Sequence, residues 1–105
     1  MPELTKDADK LVCSLYKLYL SRRKDGFDKV HARQFSLSDI TDMKPFDSWS
    51  ENDIIDTLRE LSRAGFGRLY ISGSFIAHDA FVIYMESRFK NGLNEVTDFI
   101  SKFIP

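Results

Sequence analysis

Hydrophobic residues in the first quarter of the chain recur every three or four positions from Leu4 to Tyr19, the spacing of one face of an α-helix. Basic residues at 22–24 follow this pattern, and cations are favourable at a helix C-terminus. Asp25-Gly26 then interrupts it. The pattern predicts a first helix over residues 4–23.

The next stretch alternates between apolar and polar residues over 27–35, which fits one short strand or an extended linker. Ser36 to Asp39 carry side chains typical of a helix start, and Leu37, Ile40 and Met43 share one helical face. A second helix is predicted over 37–43, and Pro45 ends it because the residue before proline avoids helical geometry.

The clearest element is a third helix predicted over 51–64. Ser50 is in the N-cap position, and Trp49 and Ile54 are spaced for a hydrophobic staple. Gly65 is placed for a left-handed turn after the helix, with Phe66 folding back on Leu61.

A β-hairpin is predicted over 68–77, with Leu69 and Ile71 on one face and Ser72-Gly73-Ser74 as its tight turn. Helical spacing returns over 79–103, and Asn91-Gly92 divides that segment into two C-terminal helices. The chain shows no repeat and no second domain, so residues 1–105 are expected to form one domain.

This element order, with the motif from Ser50 to Gly67, resembles the winged-helix variant of helix-turn-helix domains over about residues 4–86. The segment from Phe75 to Phe103 resembles small Gram-positive or phage winged-helix proteins of the YjcQ-like kind. The resemblance implies a mainly α (α+β) fold, a winged helix-turn-helix with a small β-hairpin wing and extra C-terminal helices. It also implies a DNA-binding transcriptional regulator, or a regulatory accessory factor of a phage or mobile element, in a bacterium.

The composition of the chain argues against some classes of function. The chain has 105 residues, of which 43% are hydrophobic and 30% charged, with a net charge of −1. Because proteins that coat nucleic acid indiscriminately carry a basic excess, this balance argues against that class. Cys13 is the single cysteine, so an internal disulfide is excluded, and without a recognisable targeting segment we expect a cytoplasmic protein.

The sequence offers little for catalysis. His31, His78 and Cys13 lack the spacing of a metal site, and the glycines match no phosphate-binding loop. Cys13 has no neighbouring base, and its position in the first helix favours a small core residue. We therefore expect no enzyme activity, no catalytic residues, no metal and no cofactor.

Double-stranded DNA is the first candidate partner. A winged helix lays its third helix in the major groove and places basic residues on phosphates. Seven acidic residues between 39 and 60, opposed only by Lys44 and Arg59, argue against a strong site on that helix. The candidate helix contacts are Asn52, Thr57, Arg59 and Arg63, and the candidate phosphate contacts are Arg22, Arg23, Lys24, Lys29, Arg33 and Arg68.

The alternative is a protein-interaction or dimerisation module on the same fold. In that hypothesis the acidic face over 39–60 binds a protein partner instead of DNA. The C-terminal region also has more large apolar groups than one helix face needs, so either a homodimer forms or these groups fill one aromatic core. We expect the homodimer, with Phe89, Phe99, Phe103 and Ile104 as candidate interface residues.

Overall fold

The chain is mainly helical, with one small sheet, in a computed structural model that describes residues 3–103. This is an α+β arrangement with dimensions of 33 × 32 × 29 Å. In chain order the elements are α1 (Lys6–Lys24), α2 (Lys29–Ala32), β1 (Gln34–Phe35), α3 (Leu37–Thr41), a 3₁₀ helix (Phe46–Ser48), α4 (Glu51–Arg63), β2 (Gly67–Leu69), β3 (Phe75–Ala77), α5 (Asp79–Arg88) and α6 (Leu93–Ile100).

Helix α1 is the centre of the fold and contacts α2, α4, α5 and α6. Six consecutive residues over 11–16 are buried, so this part of α1 has neighbours on every side rather than on one face. The helix begins at Lys6, two residues after the predicted start, where the Thr5 hydroxyl accepts a hydrogen bond from the Ala8 N–H, and it ends at Lys24, one residue after the predicted end. The largest fully buried side chains around it include Phe35, Phe46, Phe75, Phe81 and Met85.

The sheet has three antiparallel strands in the order β1-β3-β2. Its central strand β3 pairs Ile76 with Gln34 on one side and with Arg68 on the other. Of the two alternatives for residues 27–35, the short strand is the one present, at Gln34–Phe35, and it joins the hairpin to the rest of the fold.

Helix α4 confirms the predicted capping chemistry at both ends. The Ser50 hydroxyl accepts from the Asp53 N–H at 3.1 Å. Gly65 has φ +88°, and the Phe66 N–H donates to the Leu61 carbonyl at 3.1 Å, which is the Schellman arrangement. The helix ends at Arg63, one residue before the predicted end.

Two local predictions need correction between α1 and α4. Part of the 27–35 stretch is helical, because the Asp28 carboxylate accepts from the His31 N–H at 2.8 Å and starts the short helix α2. Helix α3 ends at Thr41 rather than at 43, and the linker before α4 contains the 3₁₀ helix, which the sequence pattern did not predict.

The hairpin turn also lies one residue earlier than predicted. Tyr70 and Ser74 close a three-residue loop, with the Tyr70 N–H donating to the Ser74 carbonyl at 2.9 Å. Gly73 has φ +89°, which the last residue of such a loop requires. Ile71 therefore lies at the loop tip, fully exposed, and not on the buried face with Leu69.

The C-terminal segment forms two helices, as predicted. Gly92 has φ +69° between α5 and α6, a conformation that favours glycine. Helix α6 packs along α1 and buries Val96 and Ile100 against it.

Candidate nucleic-acid interface

The outward side of α4 is a polar stripe along one face of the helix. Asn52, Asp56, Arg59 and Arg63 are all exposed, at intervals of four, three and four residues. The opposite face buries Ile54, Thr57, Leu58 and Leu61. The predicted helix contacts Asn52, Arg59 and Arg63 are therefore accessible and share one face.

Thr57 does not belong to that stripe. Its side chain is buried, and its hydroxyl donates to the Asp53 carbonyl at 2.7 Å. A threonine hydroxyl can donate a hydrogen bond to a carbonyl of the preceding helical turn, which allows this polar residue to face the core. The expectation that Thr57 points outward is wrong.

The hairpin continues the basic character of the C-terminal end of α4. Arg68 is exposed on β2, and its guanidinium lies 5.2 Å from the centre of the Tyr70 ring. Tyr70 was not among the predicted contact residues. The alternation of side chains along an extended segment did indicate that residues 68 and 70 share one face. With Arg59 and Arg63, Arg68 makes three exposed arginines on α4 and the strand that follows it.

Two of the six predicted phosphate contacts are held in internal ion pairs. Arg22 donates to the Gln34 carbonyl at 2.6 Å and to the Asp39 carboxylate at 2.9 Å, and its side chain is only 14% exposed. Arg33 pairs with Asp79 and is 22% exposed. These two arginines join elements of the domain and are poorly placed to meet DNA, which corrects that part of the expectation.

The other basic candidates near the end of α1 remain on the surface. Arg23, Lys24 and Lys29 are exposed, and Arg23 also donates to the Phe27 carbonyl at 2.8 Å. Of the five candidate phosphate contacts between residues 22 and 33, three are therefore accessible to DNA.

The acidic stretch over 39–60 is similarly reduced by internal contacts. Glu60 accepts from the Thr5 N–H at 2.8 Å and from the Thr5 hydroxyl at 2.7 Å, which ties α4 to the start of α1. Asp39 closes a capping box with Ser36 and binds Arg22. The other five acidic residues of the stretch take no part in these contacts, and all five are exposed: Asp42, Asp47, Glu51, Asp53 and Asp56.

The ionisation of Asp39 is favoured by contacts within the fold. Burial favours its neutral form, but the Ser36 N–H and the Arg22 guanidinium outweigh burial and lower the pKa of Asp39. The Asp39 carboxylate is therefore a structural group, even though it begins the acidic stretch.

The predicted dimer residues divide into buried and half-buried positions. Phe89 is 5% exposed and stacks with Tyr16 at 6.4 Å, so it belongs to the core of the single chain and is not a surface residue. Phe99 and Phe103 are half-buried and pack edge to face at 5.2 Å. Ile104 lies outside the described residues.

Cys13 occupies the core of α1 with no exposed surface. Burial raises the pKa of its thiol to about 12, while Arg88 acts weakly in the opposite direction. Because the thiolate is the reactive form, Cys13 is unsuited to nucleophilic chemistry in the folded protein.

Within residues 3–103, no cluster of three or more His, Cys, Asp or Glu side chains is arranged to hold a metal ion. None of the helices described over that range combines the length and the hydropathy required to cross a membrane.

Comparisons with protein-family models, with curated proteins and with solved structures find no match for this chain. The stripe on α4 and the adjoining hairpin are therefore the basis for a functional assignment.

Proposed function

We propose that the chain is a non-enzymatic winged-helix protein that binds double-stranded DNA through α4 and the β2–β3 hairpin. The element order supports it, because helix α1, strand β1, helices α3 and α4, the hairpin and two further helices follow one another as the resemblance implies, interrupted only by the short α2 and the 3₁₀ helix. The observation that carries the proposal is the group of three exposed arginines, Arg59, Arg63 and Arg68, on the third-helix equivalent α4 and the wing strand β2.

In this proposal α4 enters the major groove with its polar stripe toward the base edges. Asn52, Arg59 and Arg63 have side chains that hydrogen-bond bases, with arginine favouring guanine and asparagine favouring adenine. Arg68 contacts a phosphate from the wing. Each arginine on a phosphate contributes about −0.9 to the slope of log K against log salt.

The carboxylates on α4 should lower the affinity of this site for DNA. Asp56 lies 3.9 Å from Arg59 and competes with DNA for that guanidinium. Glu51 and Asp53 are exposed in the first turn of α4, where they oppose a phosphate backbone. We therefore expect measurable binding at low salt that falls steeply as salt is added.

Fluorescence anisotropy with mixed-sequence duplex DNA across a salt series tests the proposal. Arg59→Glu and Arg63→Glu are expected to abolish binding, whereas Asp53→Lys should strengthen it. Lys90→Glu has the same charge change on an exposed residue beyond α5 and serves as the matched control. Absence of binding at low salt, or equal loss in the control, would refute DNA binding by this face.

A homodimer would suit such a site, because dimeric helix-turn-helix proteins bind two half-sites spaced by about 34 Å, one helical turn of DNA. The half-buried Phe99 and Phe103 near the end of the chain are the residues on which the dimer is proposed. Light scattering on the wild type and on the Phe99→Asp, Phe103→Asp double variant tests the dimer, and a concentration-independent wild-type monomer would exclude it.

The second candidate function is a protein-interaction module that uses the acidic side of the same region. It is favoured by the exposed carboxylates of Asp42, Asp47, Glu51 and Asp53, for which no salt bridge forms within residues 3–103. Asp53→Lys separates the two functions, since it should strengthen DNA binding but weaken binding of a basic protein partner. Wild-type binding of the basic partner by Asp53→Lys and Asp56→Lys would exclude the second function.

A further inference from the structure

A pocket of about 300 Å³ opens where α1, the segment after α3 and the end of α6 meet. None of the candidate DNA contacts lines it, so its function is independent of the proposed interface. Its lining includes Ser14, Lys17, Leu18, Met43, Lys44 and Ile100.

Ser14 is the unusual residue of this pocket. Its side chain is 4% exposed, and its hydroxyl oxygen has no hydrogen-bond partner within residues 3–103. A buried hydroxyl without a partner costs free energy that most folded proteins avoid. The hydroxyl oxygen has almost no accessible surface in this conformation, so a polar ligand atom would complete its hydrogen bonding only if the side chain turned toward the pocket.

The rest of the lining combines apolar surface with positive charge. Leu18, Met43 and Ile100 provide hydrophobic walls, and the lining also includes Lys17 and Lys44, whose long flexible side chains can bring an ammonium group to the rim. Neither lysine forms a salt bridge in the described part of the chain, and the lining contains no carboxylate. The charge of the pocket is therefore complementary to an anion with an apolar body.

We propose that this pocket binds a small amphipathic monocarboxylate, with its apolar body against Leu18, Met43 and Ile100. The carboxylate lies between Lys17 and Lys44, and the Ser14 hydroxyl rotates from its buried position to donate a hydrogen bond to it. The pocket volume is at the lower end of the ~300–1,000 Å³ range of small-molecule sites. A medium-chain fatty acid matches that size and needs no second charged group.

Isothermal titration calorimetry with octanoate, octanol and octylamine tests the proposal, because the three share one apolar body and differ in charge. Octanoate should bind saturably, and octanol and octylamine should bind at least tenfold more weakly. Methyl NMR should place the octanoate shifts at Met43 and Ile100. Equal binding of all three compounds, no saturation with octanoate, or shifts elsewhere would overturn the proposal.

Variants of the pocket provide the second test. Lys17→Gln and Lys44→Gln should each weaken octanoate binding about three- to tenfold, and Ser14→Ala should weaken it severalfold without lowering the melting temperature. Lys90→Gln removes an exposed lysine outside the pocket and should leave binding unchanged. Octanoate affinity that is the same in all four variants would refute the site, and circular dichroism confirms that each variant is folded.

Discussion

Arg22 at the end of α1 donates to the Asp39 carboxylate of α3 at 2.9 Å, across seventeen positions of the chain. This pair joins the basic end of α1 to the acidic stretch over 39–60. Both side chains stay charged, but each charge is paired within the fold and is not available to a partner. The near-neutral net charge of −1 therefore reflects, in part, opposite charges that stabilise the fold.

Asp39→Asn is expected to destabilise the protein by about 1 kcal/mol at neutral pH, because it removes a charged acceptor from the capping box and from Arg22. The pKa of Asp39 is lowered in the folded state, so its contribution is complete above the unfolded value of about 4. That contribution is lost as the pH falls through the folded pKa. Urea unfolding between pH 3 and pH 7 measures both effects.

The variant should therefore lose less stability than the wild type on acidification below about pH 4. Asp42→Asn is the matched control, since Asp42 is exposed and makes no ion pair in the described part of the chain. An Asp39→Asn protein with unchanged acid sensitivity would contradict a stabilising role for this carboxylate.

Gly67→Ala is expected to destabilise the fold severely, by about 3 kcal/mol or more, because a β-carbon there overlaps its neighbours. It would overlap Phe75 Cζ and lie 2.6 Å from the Ile76 carbonyl oxygen. Gly65→Ala is the control, since no atom lies within 4 Å of its added β-carbon and only the positive φ is unfavourable. Thermal unfolding should show a much smaller loss, about 1 kcal/mol, for the control; similar losses would argue against close strand packing at Gly67.

Glu60→Gln should reduce stability by about 0.5–1 kcal/mol, because the Glu60 carboxylate accepts from the Thr5 N–H and hydroxyl at the start of α1. A neutral amide keeps one acceptor but loses the favourable charge at the helix N-terminus. Glu86→Gln, an exposed position on α5, is the control. Chemical denaturation should separate the two variants, and an equally stable Glu60→Gln protein would show that this contact contributes nothing.

Cys13 should resist maleimide labelling in the native protein at pH 7. The side chain has no exposed surface, so the reagent cannot reach the sulfur. Burial also raises the pKa of the thiol to about 12, so almost none of the reactive thiolate is present at pH 7. Labelling should become rapid in denaturant, with a native-state rate that follows the unfolding equilibrium. Rapid labelling under conditions where the protein remains fully folded would show that α1 opens locally around this residue.

Local sequence signals determined most of the helices and their ends. Ser50 and Gly65 act through hydrogen bonds to residues within a few positions, so the boundaries of α4 were predictable to one residue. The break at Gly92 was predictable for the same reason. The sequence pattern missed the short helix at 29–32 and the 3₁₀ helix, because runs of three or four residues carry too little periodicity.

Only the tertiary structure decided which charged side chains are available to a partner. The partners of Arg22, Arg33 and Glu60 lie 17, 46 and 55 positions away, and no local pattern encodes such pairings. The same holds for the pocket beside Ser14, whose walls come from three separate segments of the chain. By itself the sequence determined the helices and the charges, and packing then determined which charges remain on the surface, since ion pairs form wherever the fold brings opposite groups together.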